Sequence, residues 1–462
     1  MGNPKAFLSI PRKEAGYRLV NDRINDYGEV EQTLNSRDRQ EQAGRCMDCG
    51  VAFCHWACPL GNRPPEWNDA LYKGDWELAY QLLCRTNDFP EFTGRVCPAL
   101  CEKSCVLNLS FKEPTTNREN ECAIAERAFT ENYITIEHPI RNGKKIAVIG
   151  SGPAGLTSAN QLNLKGFEVT VFEKDEAPGG LLRYGIPNFK LSKSVIDRRI
   201  RVMEEEGILF RYNEIIDIKN LPEGFDAYVI CTGTPSARDL NIPGRELKGV
   251  FLALDLLSQQ NRILAGHTFP TEKSITAKDK NVLVIGGGDT GSDCIGTAHR
   301  QGCKSITQIE IMPKPPVGEN PDTPWPSWPV ILKTTSSHEE GCVRRWQLST
   351  CRFLGDENGN VTGAEVEGVN WERDSHNGKL IMKPNGKKEI IPCDIVFLAM
   401  GFLRPQQPEF PKNVFVAGDA ASGASLVVHA MANARKICKE IINLLEERIS
   451  LTLLDSHKEY RL

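Results

Sequence analysis

Residues 144–174 read KKIAVIGSGPAGLTSANQLNLKGFEVTVFEK, and this stretch decides the fold class. A β-branched strand, Ile146 to Ile149, runs into Gly150-x-Gly152-x-x-Gly155. A helix to Lys165, a turn at Gly166 and a second strand, Glu168 to Phe172, follow and end at Glu173. Strand, glycine turn, helix, strand and acid in this order form a Rossmann-type dinucleotide site. Gly150 permits the tight turn, Gly152 lets backbone approach a pyrophosphate, and Gly155 lets helix and strand pack closely. Ser151, Pro153 and Ala154 lie between them at the helix N-terminus, where N–H groups and the dipole favour phosphate. Glu173 is placed to accept hydrogen bonds from ribose hydroxyls. A bare GxGxxG is often only a turn, but here every flanking part is present.

The pattern recurs. Residues 280–313, KNVLVIGGGDTGSDCIGTAHRQGCKSITQIEIMP, hold a strand from Val282 to Ile285, then Gly286, Gly287, Gly288, Asp289, Thr290 and Gly291, and a helix to about Gln301. A second strand, Ser305 to Ile311, carries Glu310, 24 positions after Gly286; Glu173 lies 23 after Gly150. Two different sites in one chain imply FAD plus a nicotinamide nucleotide. A carboxylate at Glu310 suits a free 2′-hydroxyl and repels a 2′-phosphate, which favours NADH. The competing reading has Lys314, the one local cation, or a distant Arg receive the phosphate of NADPH. Around the first site, Pro178-Gly179-Gly180-Leu181 and Tyr184-Gly185-Ile186-Pro187 give flexible backbone where a flavin would lie. Ile230 to Thr234 end a strand in small residues that include Gly233. Val414 to Ala417 lead into Gly418-Asp419, where the acid meets the flavin's ribityl or phosphate region or is simply a helix N-cap. The order of FAD half, nicotinamide domain and FAD remainder resembles that of flavoproteins with two dinucleotide-binding domains. In those, hydride passes directly from nicotinamide to flavin and no catalytic side chain is expected.

The chain's 462 residues suggest about three domains. A net charge of −4 gives no reason to expect nucleic acid or an anionic membrane as partner. No apolar run reaches membrane-spanning length, and the N-terminus lacks a secretory h-region, so a cytoplasmic protein is expected. Of 16 cysteines, nine fall between Cys46 and Cys122, a clustering that in a reducing compartment points to metal. Cys46-x2-Cys49-x4-Cys54-x3-Cys58-Pro59 is close to the ferredoxin run, and Cys97-Pro98-x2-Cys101-x3-Cys105 adds a second group. Seven thiolates nearly make the eight that two [4Fe-4S] clusters need; structural zinc is the alternative. A redox disulfide finds no Cys-x-x-Cys beside the flavin. Cys84, Cys122, Cys303, Cys342, Cys351, Cys393 and Cys438 read as buried apolar residues. An amphipathic helical run covers Trp67 to Cys84, and the Pro-rich stretch from Met312 to Pro329 reads as an ordered loop near a site.

Together these stretches resemble the small (β) subunit of glutamate synthase, with the N-terminal part of dihydropyrimidine dehydrogenase as a relative. The resemblance rests on RCMDCGVAFCHWACPLGN, GRVCPALCEKSCVLNL, VIGSGPAGL, EKDEAPGGLLRYGIPNFKL, VIGGGDTGSDCIGTAHRQG and VFVAGDAASGASLVVHAMANAR, and covers nearly the whole chain. It implies an α/β protein in which a mostly helical double [4Fe-4S] domain (1–140) precedes two Rossmann-like domains. The FAD domain would be split into 141–255 and 391–462, with the NAD(P)H domain, 256–390, inserted. Cys46, Cys49, Cys54 and Cys105 would share one cluster, and Cys58, Cys97 and Cys101 the other. Aligning NECAIAERAF puts Glu121 as the eighth ligand, with Cys122 its rival. Lys174, Gly180, Leu181, Lys190 and Gly401 join the cofactor-binding residues by the same alignment. The implied reaction is glutamine plus 2-oxoglutarate plus NAD(P)H to two glutamates, of which this chain would carry NAD(P)H oxidation through FAD and the clusters. A large subunit bearing FMN and glutaminase would be the partner. A paralogue serving a bifurcating ferredoxin:NADP oxidoreductase or a pyrimidine reductase is the alternative. Two departures stand out: only eight residues separate Pro405 from Val414, and Ile311-Met312 replace the paired arginines of the common bacterial version.

Overall fold

The computed structural model describes residue 3, residues 5–374 and residues 380–458, with side chains as far as Glu446. Up to Thr130 the described residues form helices joined by turns and loops, with no strand among them. Asn35 caps the helix Ser36–Gly44 and Asp75 caps Trp76–Cys84, each side chain accepting the N–H three residues on. Prolines open Pro64–Tyr72 and Pro90–Val96, where a missing N–H costs nothing. The run from Trp67 to Cys84 is therefore two helices, because Gly74 at φ +81° turns the chain between them. They bury Trp67, Leu71, Trp76, Ala79 and Leu83 against Ile124 and Ala128 of the helix Asn117–Thr130. That helix also packs on Pro90–Val96 at Gly94, where an added Cβ would come within 2.7 Å of the Cys122 nitrogen.

The rest is built on strands β1 (Lys145–Ile149), β2 (Glu168–Phe172), β3 (Leu209–Arg211), β4 (Ala227–Ile230), β5 (Val250–Leu252), β6 (Asn281–Ile285) and β7 (Ser305–Glu310). After them come β8 (Val343–Trp346), β9 (Leu348–Gly355), β10 (Val361–Arg373), β11 (Leu380–Pro392), β12 (Ile395–Leu398) and β13 (Val414–Val416). One parallel sheet has the order β13-β4-β1-β2-β3 and a second β5-β12-β6-β7-β8; β11-β10-β9 form an antiparallel flap. Both parallel sheets are covered on two faces, which is why β4 and β12 are apolar throughout. Strand β13 returns to pair with β4, so the second sheet is an insertion into the first domain. Sheet membership differs from the expected boundaries: β5, before residue 255, and β12, after 390, both belong to the inserted sheet. β12 pairs with β6 on one side and with β5 on the other, and Ile395, Phe397 and Phe251 join the core of the inserted sheet. No helix or strand forms between Ile311 and Thr335, as the prolines require. The last helix, Val427–Lys458, packs along Pro153–Leu164.

The helical domain is joined to the first sheet domain by buried ions. Arg199, on the helix Lys193–Glu205, donates to Glu91 at 2.5 Å and 3.2 Å and to the Tyr80 hydroxyl at 3.3 Å. Asp88 accepts from Asn160 at 2.9 Å and from Arg435 at 2.8 Å. Farther on, Arg23 and Arg300 both reach the buried Glu340, at 3.0 Å and 2.8 Å, tying the N-terminal segment to the inserted domain. Removing one member of such a pair strands the other charge in a low dielectric. Glu91→Ala is expected to destabilise the chain by about 3–5 kcal/mol, and Arg345→Ala, which breaks an exposed pair with Glu389, by less than about 1 kcal/mol. Urea unfolding of both variants checks this; equal shifts would contradict the joint's role.

Candidate functional site

The two glycine turns are built alike. In the first, Gly150 takes φ +99°, and the Glu173 carboxylate accepts the Ser151 N–H at 3.0 Å, the Ser151 hydroxyl and the Asp175 N–H at 2.9 Å. In the second, Gly286 takes φ +120°, and Glu310 accepts the Gly287 N–H at 2.6 Å and the Met312 N–H at 3.0 Å. Each third glycine is sterically obligatory: an added Cβ would come within 1.9 Å of the Gly150 oxygen at Gly155 and 2.5 Å of the Gly286 oxygen at Gly291. In front of Gly152, Gly233, Gly288 and Gly401, by contrast, an added Cβ meets nothing within 4 Å. Open space before two glycine turns, each heading a twelve-residue helix, Pro153–Leu164 and Asp289–Arg300, fits a dinucleotide pyrophosphate.

Distant residues complete the first cradle. Gly180 lies against Gly152, where a Cβ would come within 2.9 Å of the Gly152 Cα, and Leu181 is exposed beside it. Gly418, at φ +66°, meets Ala154, and its N–H donates to Asn433 at 2.7 Å. Asp419 accepts the Ser425 hydroxyl at 2.5 Å, and burial raises its pKa. Lys174 is exposed past β2. Lys190 stands apart from the first cradle: it pairs with Asp293 on the helix Asp289–Arg300, within electrostatic reach of Asp289. A second layer escaped the sequence reading. Gln308 donates to the Gly286 carbonyl at 2.9 Å and accepts from His338 Nε2 at 3.0 Å, while His338 Nδ1 accepts the Thr335 N–H at 3.2 Å. The ring is thus a neutral imidazole, and burial pushes its pKa down to about 4.

The cysteines form two rings. Cys46, Cys49, Cys54 and Cys105 line one cavity with Phe53, Leu107 and Thr115. Cys58, Cys97 and Cys101 influence one another electrostatically and share Glu121 as a charged neighbour. Burial pushes Cys46 and Cys97 up to about 12. Backbone N–H groups point at the sulfurs: Asp48 at Cys46, Ala99 and Leu100 at Cys97, and Leu60, Gly61 and Asn62 at Cys58. Asp48 and Ala99 adopt left-handed backbone, φ 50° and 62°, to do so. Among the described residues no three His, Cys, Asp or Glu side chains converge on a point suited to a single ion. Four thiol donors lining one cavity suit a cluster.

Glu121 is buried. It accepts from Asn87 at 3.1 Å, from Asn62 at 3.2 Å and from the Thr93 hydroxyl, and burial raises its pKa to about 7. Cys122 lies instead in a cleft of about 500 Å³ with Glu29, Arg95 and Glu126. Those walls are already paired, Arg95 with Glu29 at 2.7 Å and with Glu126 at 2.8 Å. Of the remaining cysteines, Cys393 and Cys438 are buried as expected, but Cys84, Cys122, Cys303, Cys342 and Cys351 are only half-buried.

Comparison with known proteins follows the same division. A family described as dihydropyrimidine dehydrogenase domain II, 4Fe-4S cluster, matches residues 23–132, and pyridine nucleotide-disulphide oxidoreductase matches residues 144–322. The glutamate synthase (NADPH) small chain of Mycobacterium tuberculosis is 42% identical over 467 residues, covering 94% of each chain. That of Bacillus subtilis is 38% identical, covering 96% of this chain and 98% of its own. The glutamate synthase (NADH) of Schizosaccharomyces pombe is 37% identical over 95% of this chain, which corresponds to 22% of that longer protein. Among solved structures, FprA from Mycobacterium tuberculosis in complex with NADPH has a similar fold, with TM-score 0.54, 18% identity, and coverage of 67% of this chain and 86% of that one.

The geometry yields two expected outcomes. Glu121→Ala lowers iron by about four atoms per chain, one cubane, while Cys122→Ser leaves iron content unchanged; the reverse pattern would exchange their roles. For His338, the folded pKa lies near 4, below the ordinary 6.5. The unfolded chain then binds the extra proton first, and stability is lost as pH falls from 6.5 towards 4. His338→Asn should flatten that part of a thermal-midpoint profile against pH.

Proposed function

This chain belongs to the glutamate synthase small-chain family, and we propose that it admits electrons from NADH through an FAD site at Gly150–Gly155 and two [4Fe-4S] sites. Cys46, Cys49, Cys54 and Cys105 hold the first cluster, and Cys58, Cys97, Cys101 and Glu121 the second. When bound, FAD accepts a hydride and the clusters carry its electrons singly. The observation that carries the reading is that one seven-residue helix, Pro90–Val96, has its start anchored on the first sheet domain through Glu91 and ends at Cys97 of the second ring.

The chain's own part is to bind and orient. The first glycine turn and Glu173 hold one dinucleotide, with Gly180, Gly233, Gly418 and Asp419 closing over it. The second turn, with Asp289, Thr290 and Glu310, holds the nicotinamide nucleotide. As a small chain it implies a large-subunit partner, which we take to bear the FMN and glutaminase functions and to make glutamate from glutamine and 2-oxoglutarate. No helix among the described residues is long and apolar enough to cross a membrane.

Glu310 supports NADH over NADPH. Its carboxylate is held by the same pair of backbone N–H groups as Glu173, in the place where the first site presents an acid to ribose. A 2′-phosphate would face that charge, and Lys314 is turned to the Trp346 ring, 5.1 Å from its centroid. An anaerobic absorption titration of the purified chain tests both claims. NADH should bleach flavin and cluster absorbance at a concentration at least about tenfold below that of NADPH, a difference of some 1.4 kcal/mol. Glu310→Gln should narrow the gap. Equal or better use of NADPH would overturn the nucleotide assignment, and flavin bleaching with no cluster absorbance would overturn the assignment of the cysteines.

A further inference from the structure

The Pro-rich loop leaves β7 directly after the ribose acid Glu310, yet its far end rests on the helical domain. Trp325 donates its indole Nε1–H to the Cys105 carbonyl at 3.3 Å. Its ring leans on Phe53, with centroids 4.7 Å apart and an interplanar angle of 51°. Next to it, Ser104 Oγ donates to the Pro326 carbonyl at 3.0 Å, and Lys112 pairs with Glu319. Phe53 and Cys105 both line the cavity of the first cysteine ring. The loop reaches them pre-shaped. Asn320 Nδ2 donates to the Val330 carbonyl at 2.8 Å, the Val330 N–H to Thr323 Oγ1 at 3.0 Å, and the Leu332 N–H to the Pro316 carbonyl at 2.8 Å. An indole is thus carried across from another domain, with both polar and apolar contacts on one ring's wall.

We propose that Trp325 is a positioning residue for the first [4Fe-4S] site, shielding its Phe53–Cys105 side from water and fixing the Cys105 main chain. The proposal rests on the cluster assignment made above. A reduced cluster ligated by four thiolates carries one more negative charge than the oxidised one, and water stabilises that charge better than an indole does. Solvent exposure is one of the protein's levers on cluster potential. The shield therefore holds the first cluster's potential down, and its removal raises it. The second ring is not on the wall that Trp325 covers and should be insensitive.

The test is an EPR-monitored redox titration of the full chain, purified without air, comparing wild type with Trp325→Phe and Trp325→Ala. The first-ring signal is identified as the one that Cys49→Ser removes. Trp325→Ala should raise the midpoint of that signal, leave the other midpoint in place and hasten loss of the first cluster in air. Trp325→Phe keeps a ring but not the N–H and should fall between; it also serves if the alanine variant does not accumulate. An unmoved first-ring midpoint in both variants would overturn the role of Trp325, as would equal shifts of both signals. A wild-type chain with iron for only one cluster, or none, would overturn the cluster assignment and the proposal with it. That outcome is visible in the iron and sulfide content before any titration.

Discussion

The buried salt bridge between Glu91 and Arg199 fixes the helical domain to the first sheet domain. Glu91 sits in the first turn of Pro90–Val96, where a carboxylate is favoured by the helix dipole, and Asp88 just before it binds Asn160 and Arg435. Arg199, Arg435 and Asn160 come from three separate helices of the first sheet domain, so the start of this helix is held from three sides. Seven residues of helix span only about 10 Å, and the residue that ends the helix is Cys97. A movement between the two domains would therefore have to break buried ion pairs before it could change the separation of ring and cradle. Gly94, in the same helix, lets Asn117–Thr130 approach closely enough for Glu121 to meet Thr93. One short element thus sets both the distance to the flavin domain and the make-up of the second ring.

Much of this was legible because glycine and cysteine leave strong marks. Gly155 and Gly291 could be read as close-packing positions, and an added Cβ at either strikes the first glycine's carbonyl. The matched spacing of Glu173 and Glu310 foretold the matched hydrogen bonds they make. The C-terminal return through Gly418 was legible too, since a lone strand followed by Gly-Asp needs a sheet to join.

What stayed hidden depends on contacts between residues far apart in the chain. Nothing near Gln308 or His338 in sequence says that they stand behind the second glycine turn, because their hydrogen bonds follow from β7 lying beside the segment before β8. The boundaries at 255 and 390 missed β5 and β12, three- and four-residue strands whose apolar runs do not say which of two similar sheets they enter. Lys190 follows the family's motif, but its partner Asp293 lies more than a hundred residues away. The left-handed backbone at Asp48 and Ala99 was equally invisible, since neither residue type demands it and only the sulfur beside it rewards it.

The two rings differ in surroundings. The second group of cysteines borders the joint with the first sheet domain and has as neighbour the buried Glu121, which accepts from Asn62, Asn87 and Thr93. The first ring lies near exposed apolar side chains, Val51 at 58% and Trp56 at 75% exposure. Trp56 meets Phe53 edge-on, and Phe53 in turn meets Trp325, so aromatic rings run from the surface to the first ring's wall. Exposed apolar area on this wall contrasts with the polar hydrogen bonds around Glu121. The first ring therefore lies beside exposed apolar side chains, and the second beside the joint.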